Sequence, residues 1–343
     1  MQQRGKTGNL ALMVCLTSMV VRRLRLASII LSMACLMEAC EKQHMPVTAQ
    51  AYVNEVITQM QNASINRKTI NWLSFKQQVM RKAQGARTIA DTYPAIQLAL
   101  SLLGDNHSTY LTPAGVAITA NNMKKCVDDQ LRYTPVSPKT GYIRIPSFKG
   151  NGPAGVAFAD SIQAVIEKAD TDSTLGWIVD LRNNTGGDLW PMLAAIGPIL
   201  GEGTAGYFVD PNGNYHAWSY QNGVASQEQK PQTTVSHPYH LRRPNPRVAV
   251  LLDKATASAG EGVAISFKHR PDTRFFGTFT CGVSTGNGII RLSDGALLVL
   301  TQVTMADRNK TVYGQSVPPD ELFLSSVHVS GRVLYWLLHE PVL

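Results

Sequence analysis

Arg247–Val263 reads RVAVLLDKATASAGEGV, and its change of character midway decides the fold. Five of the first six residues are apolar, as in a strand buried on both faces. Asp253-Lys254 ends that run, and the small residues Ala255-Thr256-Ala257-Ser258-Ala259-Gly260 follow. Val263, Ala264 and Phe267 then fall on one helical face. Ser258 therefore stands where a buried strand hands over to a helix N-terminus, near unpaired backbone N–H groups and the positive end of the helix dipole. An oxyanion could develop there. The same residues also spell S-x-x-E from Ser258 to Glu261, the capping box. Both readings stand on this stretch alone.

Working outward, Leu175-Gly176-Trp177-Ile178-Val179-Asp180-Leu181 is a second buried run, and Tyr142-Ile143-Arg144-Ile145 is a third with a proline stop at Pro146. AGVAFADSIQAVIEKAD and LWPMLAAIGPIL have helical spacing between them. The order strand, helix, strand, helix, strand predicts an α/β fold on a largely parallel sheet. Residues 202–246 interrupt it with a hairpin turning at Asp210-Pro211-Asn212-Gly213, then a loop containing Pro, Gln and Ser. After the Ser258 helix come Thr273–Gly277, the Gly-rich loop Cys281–Gly288, the hairpin IIRLSDGALLVLTQ and a last apolar element, VHVSGRVLYWLL.

Upstream, residues 46–112 read as a small helical bundle. Tyr52, Val53, Val56, Ile57 and Met60 keep helical spacing, as do Trp72, Phe75 and Val79. A third helix starts near Pro94 and stops at Gly104. His107 follows in the loop Gly104-Asp105-Asn106-His107-Ser108, where a lone histidine is ordinarily a solvated or capping residue. Residues 113–138 form a polar connector.

With 44% hydrophobic and 16% charged residues, the 343-residue chain has the composition of a folded globular protein. Half of its net charge of +8 lies in the first 45 residues; the rest holds no basic run with interleaved aromatics, so nucleic acid is not an expected partner. Arg22-Arg23-Leu24-Arg25 precedes the apolar run Leu26–Met37, too short to span a bilayer but long enough for a signal peptide. Ala34-Cys35 and Ala39-Cys40 resemble the lipidation site of a bacterial lipoprotein, so residues 1–40 are expected to export the chain, with membrane attachment through Cys35 or Cys40 or plain secretion to the periplasm. Beyond that segment only Cys126 and Cys281 remain, enough for one disulfide or two thiols, and no metal-binding pattern exists. No G-x-G-x-x-G or P-loop is present, so no nucleotide cofactor is expected.

In a parallel β/α sheet, sites gather at the carboxyl ends of the strands. Two such loops stand out: Asn183–Asp188, carrying Gly186-Gly187, and Ala255–Glu261. Glycine pairs let backbone N–H groups point outward, although they also make ordinary tight turns. The amides of Gly186, Gly187 and Ala259 are the candidate oxyanion hole above Ser258.

Asp180-Leu181-Arg182-Asn183-Asn184-Thr185-Gly186-Gly187 resembles the D-L-R-x-N-x-G-G segment of the tail-specific (C-terminal processing) protease family, whose relatives include the tricorn protease core. Ala257-Ser258-Ala259-Gly260-Glu261 is similar to its nucleophile segment, Gly141–Phe148 to its G-Y-I-x-I-x-x-F strand, and Val317-Pro318-Pro319-Asp320 to its closing P-D segment. The resemblance covers roughly residues 140–322. It implies a Clp-protease/crotonase-like β/α core with an N-terminal helical bundle, and a serine-type peptidase acting on polypeptides. It divides the chain into a signal at 1–40, a helical region at 46–112, the connector at 113–138, a peptidase core at 139–325 and a C-terminal element at 326–343. The connector is too short to hold the family's PDZ module.

The resemblance also speaks to the base. Val283 stands where the tail-specific branch has its catalytic lysine, and Lys268 is ten residues along the helix from Ser258. The tricorn-like branch instead uses a histidine in a G-D-G-H-S/T segment, which Gly104-Asp105-Asn106-His107-Ser108 matches; His107 is thus the expected general base. That branch has a Glu where this chain has Tyr313, so Gln315 or Glu261 is left to orient the imidazole, or the chain is a non-catalytic ligand- or peptide-binding protein on the same fold.

Overall fold

The computed structural model describes residues 48–127, 137–323 and 329–339. The signal segment, with Cys35 and Cys40, lies outside them. Three helices come first. Helix α1, Ala49–Ala63, is capped by the Thr48 hydroxyl, which accepts from the Ala51 N–H, and it buries the stripe Tyr52, Val53, Val56, Ile57 and Met60. Helix α2 spans Trp72–Lys82, and α3, Tyr93–Leu103, begins with Pro94 in its first turn. Gly104 ends α3 at a φ of 70°, a conformation glycine adopts without steric cost.

Two short strands follow, β1 (Thr109–Leu111) and β2 (Ala117–Thr119), where the sequence suggests only the end of a helical region and a polar connector. The alternating core then runs β3 (Thr140–Arg144), α4 (Gly152–Ala169), β4 (Gly176–Asp180) and α5 (Leu189–Leu200). Four antiparallel strands come next: β5 (Gly203–Val209), β6 (Tyr215–Gln221), β7 (Val224–Gln227) and β8 (Lys230–Thr234). The last two occupy the expected loop, since β8 is an exposed edge strand and shows no apolar alternation to betray it. The chain continues through β9 (Arg247–Leu252), α6 (Ala259–Phe267), β10 (Thr273–Gly277), β11 (Thr285–Arg291), β12 (Leu297–Asp307), β13 (Glu321–Leu322) and α7 (Val329–His339).

These strands form two sheets. The first is parallel, in the order β13-β10-β9-β4-β3, so the Ser258 strand lies at its centre. Both its faces are covered, which is why β4 and β9 are apolar throughout rather than alternating. Trp177, Val179, Val248, Val250 and Leu252 face the core that contains residues of α4, α5 and α6. Ile178, Ala249 and Leu251 face the other way, onto Val333, Trp336 and Leu337 of α7. Each of those α7 side chains contributes about 1.5–3 kcal/mol through burial. The second sheet, antiparallel, runs β2-β1-β12-β5-β6-β7-β8 with β11 also on β12. The sequence suggested only isolated hairpins here, because antiparallel pairing between distant segments leaves no local mark.

From Thr48 onward the chain clusters as one unit. The helical region is tied to the antiparallel sheet: the Ile65 N–H donates to the Thr301 carbonyl at 2.8 Å, and the Tyr52 hydroxyl donates to Asp294 at 2.8 Å. A disulfide joins Cys126 to Cys281, with Cα atoms 5.2 Å apart, clamping the connector onto the Gly-rich loop. Among the described residues, no helix is long and apolar enough to cross a membrane.

Candidate active site

At the carboxyl end of β9 the chain must turn sharply, and Asp253 holds the turn. One buried carboxylate oxygen accepts from the N–H groups of Ala255 (3.1 Å) and Thr256 (2.8 Å), the other from the Asn183 N–H (3.0 Å). The Ala257 N–H donates to the Asn184 carbonyl at 2.9 Å, and a Cβ on Gly260 would fall 2.4 Å from that same oxygen. The two loops picked out at the strand ends are therefore packed backbone to backbone.

Ser258 sits at the apex with φ 53° and ψ −122°. Positive φ on a non-glycine residue costs on the order of 1–3 kcal/mol and persists only where surroundings enforce it. Glu261, fully buried, does much of the enforcing. One carboxylate oxygen accepts from the Ser258 N–H (3.0 Å) and the Val283 N–H (2.9 Å); the other accepts from the Thr280 hydroxyl (2.5 Å) and the Gly282 N–H (2.8 Å). Burial pushes the Glu261 carboxyl up, against the pull of these four donors. Ser258 and Glu261 form a capping box: the Glu261 carboxylate accepts from the Ser258 N–H, and the Ser258 side chain faces the N3 amide of the helix. An oxygen that caps in this way acts as an acceptor, and among the described residues the hydroxyl donates no hydrogen bond.

The other loop is built by Asp180 and Asn184. Arg182 clasps Asp180 through Nε at 2.8 Å and Nη2 at 2.7 Å, and the Tyr142 hydroxyl adds a third donor at 2.8 Å. Asn184 donates to the Ile145 carbonyl (3.0 Å) and accepts from the Gly186 N–H (2.9 Å). Gly186 has φ 95°, and a Cβ there would lie 2.7 Å from Ser258 Cβ and 3.0 Å from the Ala259 nitrogen. Gly187, at φ 127°, would place a Cβ 1.9 Å from the Phe148 carbonyl. Gly186 thus lies directly against Ser258 and Gly187 against the Phe148 backbone, and a side chain fits at neither.

Of the three amides expected to face an oxyanion, that of Gly186 is committed to Asn184. Those of Gly187 and Ala259 enter no hydrogen bond among the described residues. Ala259 is the first residue of α6, so its N–H has no acceptor within the helix.

His107 comes from the opposite side of the site, out of the turn after α3. Asp105 shapes that turn by accepting from the N–H groups of His107 (2.9 Å) and Ser108 (2.8 Å) and from the Ser108 hydroxyl (2.7 Å). The imidazole Nδ1 lies 2.8 Å from the Thr285 hydroxyl. Burial pushes the pKa of His107 below its ordinary value, with Asp105 acting weakly against it. No hydrogen bond joins His107 to Ser258.

Two expectations about the imidazole need correction. Gln315 is exposed and meets its neighbours through its carbonyl, which accepts from the Ser284 hydroxyl at 2.6 Å; it does not touch His107. Nor does Glu261 bond to it: its carboxylate accepts from Ser258, Thr280, Gly282 and Val283. Tyr313, at the position of the family's Glu, donates to Asp307 at 3.0 Å. The histidine's partner is Thr285, the first residue of β11, with nothing in its local sequence to mark it. The lysine-dyad position is apolar: Val283 packs with Ala257, Cys281 and Cys126. Lys268 is occupied at the far end of α6, donating to the Pro318 carbonyl at 2.9 Å.

Beside His107 lies a polar cavity of about 340 Å³ whose walls include Asp105, Asn106, Lys124, Gly282, Thr285 and Gln315.

Fold and site geometry describe a hydrolase-like β/α core, and comparison with known proteins places it. Peptidase family S41 matches residues 139–322. The nisin-resistance protein of Lactococcus lactis subsp. lactis is 28% identical over 293 residues, 85% of this chain and 88% of that one. The carboxyl-terminal-processing protease of Synechocystis sp. is 27% identical over 194 residues, 56% of this chain and 40% of that one. The structure of a lipoprotein from Streptococcus agalactiae shares the fold, with a TM-score of 0.67 and 22% identity, covering 85% of this chain and 97% of that one. The chain belongs to peptidase family S41, and with it to the tail-specific proteases.

Proposed function

We propose that the protein is an exported serine endopeptidase with Ser258 as nucleophile and His107 as general base. The observation that carries this reading is the strained Ser258 turn packed against Gly186, its hydroxyl proton undonated and the Gly187 and Ala259 amides unclaimed. His107 is suited to the base role because Thr285 can accept the Nδ1–H, which leaves Nε2 with a lone pair. Nε2 takes the hydroxyl proton as Ser258 Oγ attacks the peptide carbonyl carbon. The tetrahedral oxyanion is held by the Gly187 and Ala259 amides. The imidazolium then returns the proton to the leaving amine, the C–N bond breaks, and an acyl-enzyme remains. Water, deprotonated by the same imidazole, releases the acid and restores Ser258.

The test is hydrolysis of an unstructured polypeptide by purified protein, with nisin as a second substrate because a relative matching 85% of this chain is named for resistance to it. Ser258→Ala and His107→Ala should each lower kcat by about 10³-fold or more. Activity that survives either change would sink the assignment. A non-catalytic binding role on the same fold is the second reading, favoured by a hydroxyl, not a carboxylate, as the hydrogen-bond partner of the His107 imidazole. A fluorophosphonate probe separates the two, because a binder is not labelled at Ser258. Export by residues 1–40, with lipidation of Cys35 or Cys40, belongs to the same proposal, and mass spectrometry of the mature N-terminus checks it.

A further inference from the structure

The cavity beside His107 has a feature that the proposed chemistry leaves unused. Lys124 projects from the connector so that its Nζ lies 2.6 Å from the point a Cβ on Gly282 would occupy. Gly282, at φ 90°, keeps that space open. The placement follows from the disulfide: Cys126 is two residues after Lys124, and Cys281 is one residue before Gly282. The ammonium has no ion-pair partner among the described residues. The nearest acid lining the cavity, Asp105, spends both oxygens on His107 and Ser108. A lysine held over a cavity without a counter-ion is a ready partner for an anion.

Position decides which anion. In the proposed mechanism His107 hands its proton to the leaving amine, so the substrate segment beyond the scissile bond must pass the imidazole. Thr285, which holds that imidazole, is itself part of the cavity wall. We infer that this cavity receives the leaving-group side of the peptide and that Lys124 binds a carboxylate carried there, making it a specificity-determining residue. The inference rests on the proposed peptidase reading. The carboxylate is either the free C-terminus of the substrate or an Asp or Glu side chain near it.

Binding to the Ser258→Ala protein tests this without requiring turnover, so a chain that fails to hydrolyse peptides can still pass or fail here. The probes are fluorescein-labelled decapeptides of one neutral, unstructured sequence, ending in a free acid, in an amide, or in an amide preceded by Glu. Anisotropy titrations should show the free acid, the Glu peptide or both binding about ten-fold more tightly than the neutral amide. Which of them does so identifies the source of the carboxylate. Introducing Lys124→Gln should reduce this preference to less than two-fold, and Lys124→Arg should keep most of it. Lys124 is exposed, so neither change threatens folding. Equal binding of all three peptides, no binding of any, or a preference that survives Lys124→Gln overturns the inference.

Discussion

His107 Nδ1 lies 2.8 Å from the hydroxyl of Thr285, a residue 178 positions further along the chain. In the proposed mechanism that hydroxyl takes the place a carboxylate has in a Ser-His-Asp arrangement, fixing the ring and its tautomer. It does so without a negative charge, so it stabilises an imidazolium less.

Removing the partner therefore has a readable consequence. Thr285→Val should lower kcat by about 10–100-fold with little change in KM, since ring orientation matters to the proton transfer and not to substrate binding. Thr285→Ser should recover most of the rate. Steady-state kinetics on the two variants decides it, and equal rates for valine and wild type would exclude the positioning role.

The pH profile carries its own signature. Burial disfavours the charged imidazole, so the pKa of His107 lies below the ordinary histidine value of 6.5. The base must be neutral to act, so the acid limb of kcat/KM should be centred below pH 6.5. Stability follows the same sign. Between the depressed value and 6.5 the unfolded chain binds more protons than the folded one, so stability falls as pH falls through that window. Kinetics between pH 4.5 and 8, beside thermal melts over the same range, would check both; an acid limb centred above 6.5 would contradict the assignment.

Glu261 offers a test of the nucleophile's scaffold. Glu261→Gln replaces one acceptor oxygen with an amide NH₂ facing backbone N–H donors, leaving at least one of Ser258, Gly282 and Val283 unsatisfied. Each unsatisfied buried donor costs about 1–3 kcal/mol, so the variant should melt several degrees lower. It should lose activity as well, because the positive φ of Ser258 is no longer enforced. A variant with unchanged melting temperature and unchanged kcat would show that the strain is held by other contacts.

Much of this was legible in the linear chain. The parallel sheet was visible because β4 and β9, covered on both faces, must be apolar at every position. Ser258 was visible because a strand-to-helix handover leaves a signature of small residues. Gly186 and Gly187 were visible because the close approach to Ser258 and to the Phe148 carbonyl tolerates no Cβ. His107 stood out only by resemblance, since a loop histidine has no local pattern of its own.

The orientation of that histidine was decided by tertiary structure. Thr285 is an unremarkable hydroxyl until β11 is paired with β12 and carried beside the turn after α3. The antiparallel sheet that does this is assembled from strands up to about 190 residues apart, such as β1 and β12. The Cys126–Cys281 pairing, and with it the position of Lys124, depends on the same long-range closure. Local sequence determined where the chain could bury apolar surface and where its backbone could turn. Contacts between polar groups far apart in the chain decided which of them meet at Ser258, because a hydrogen bond is specified by the geometry of both partners and each partner's sequence records only its own half.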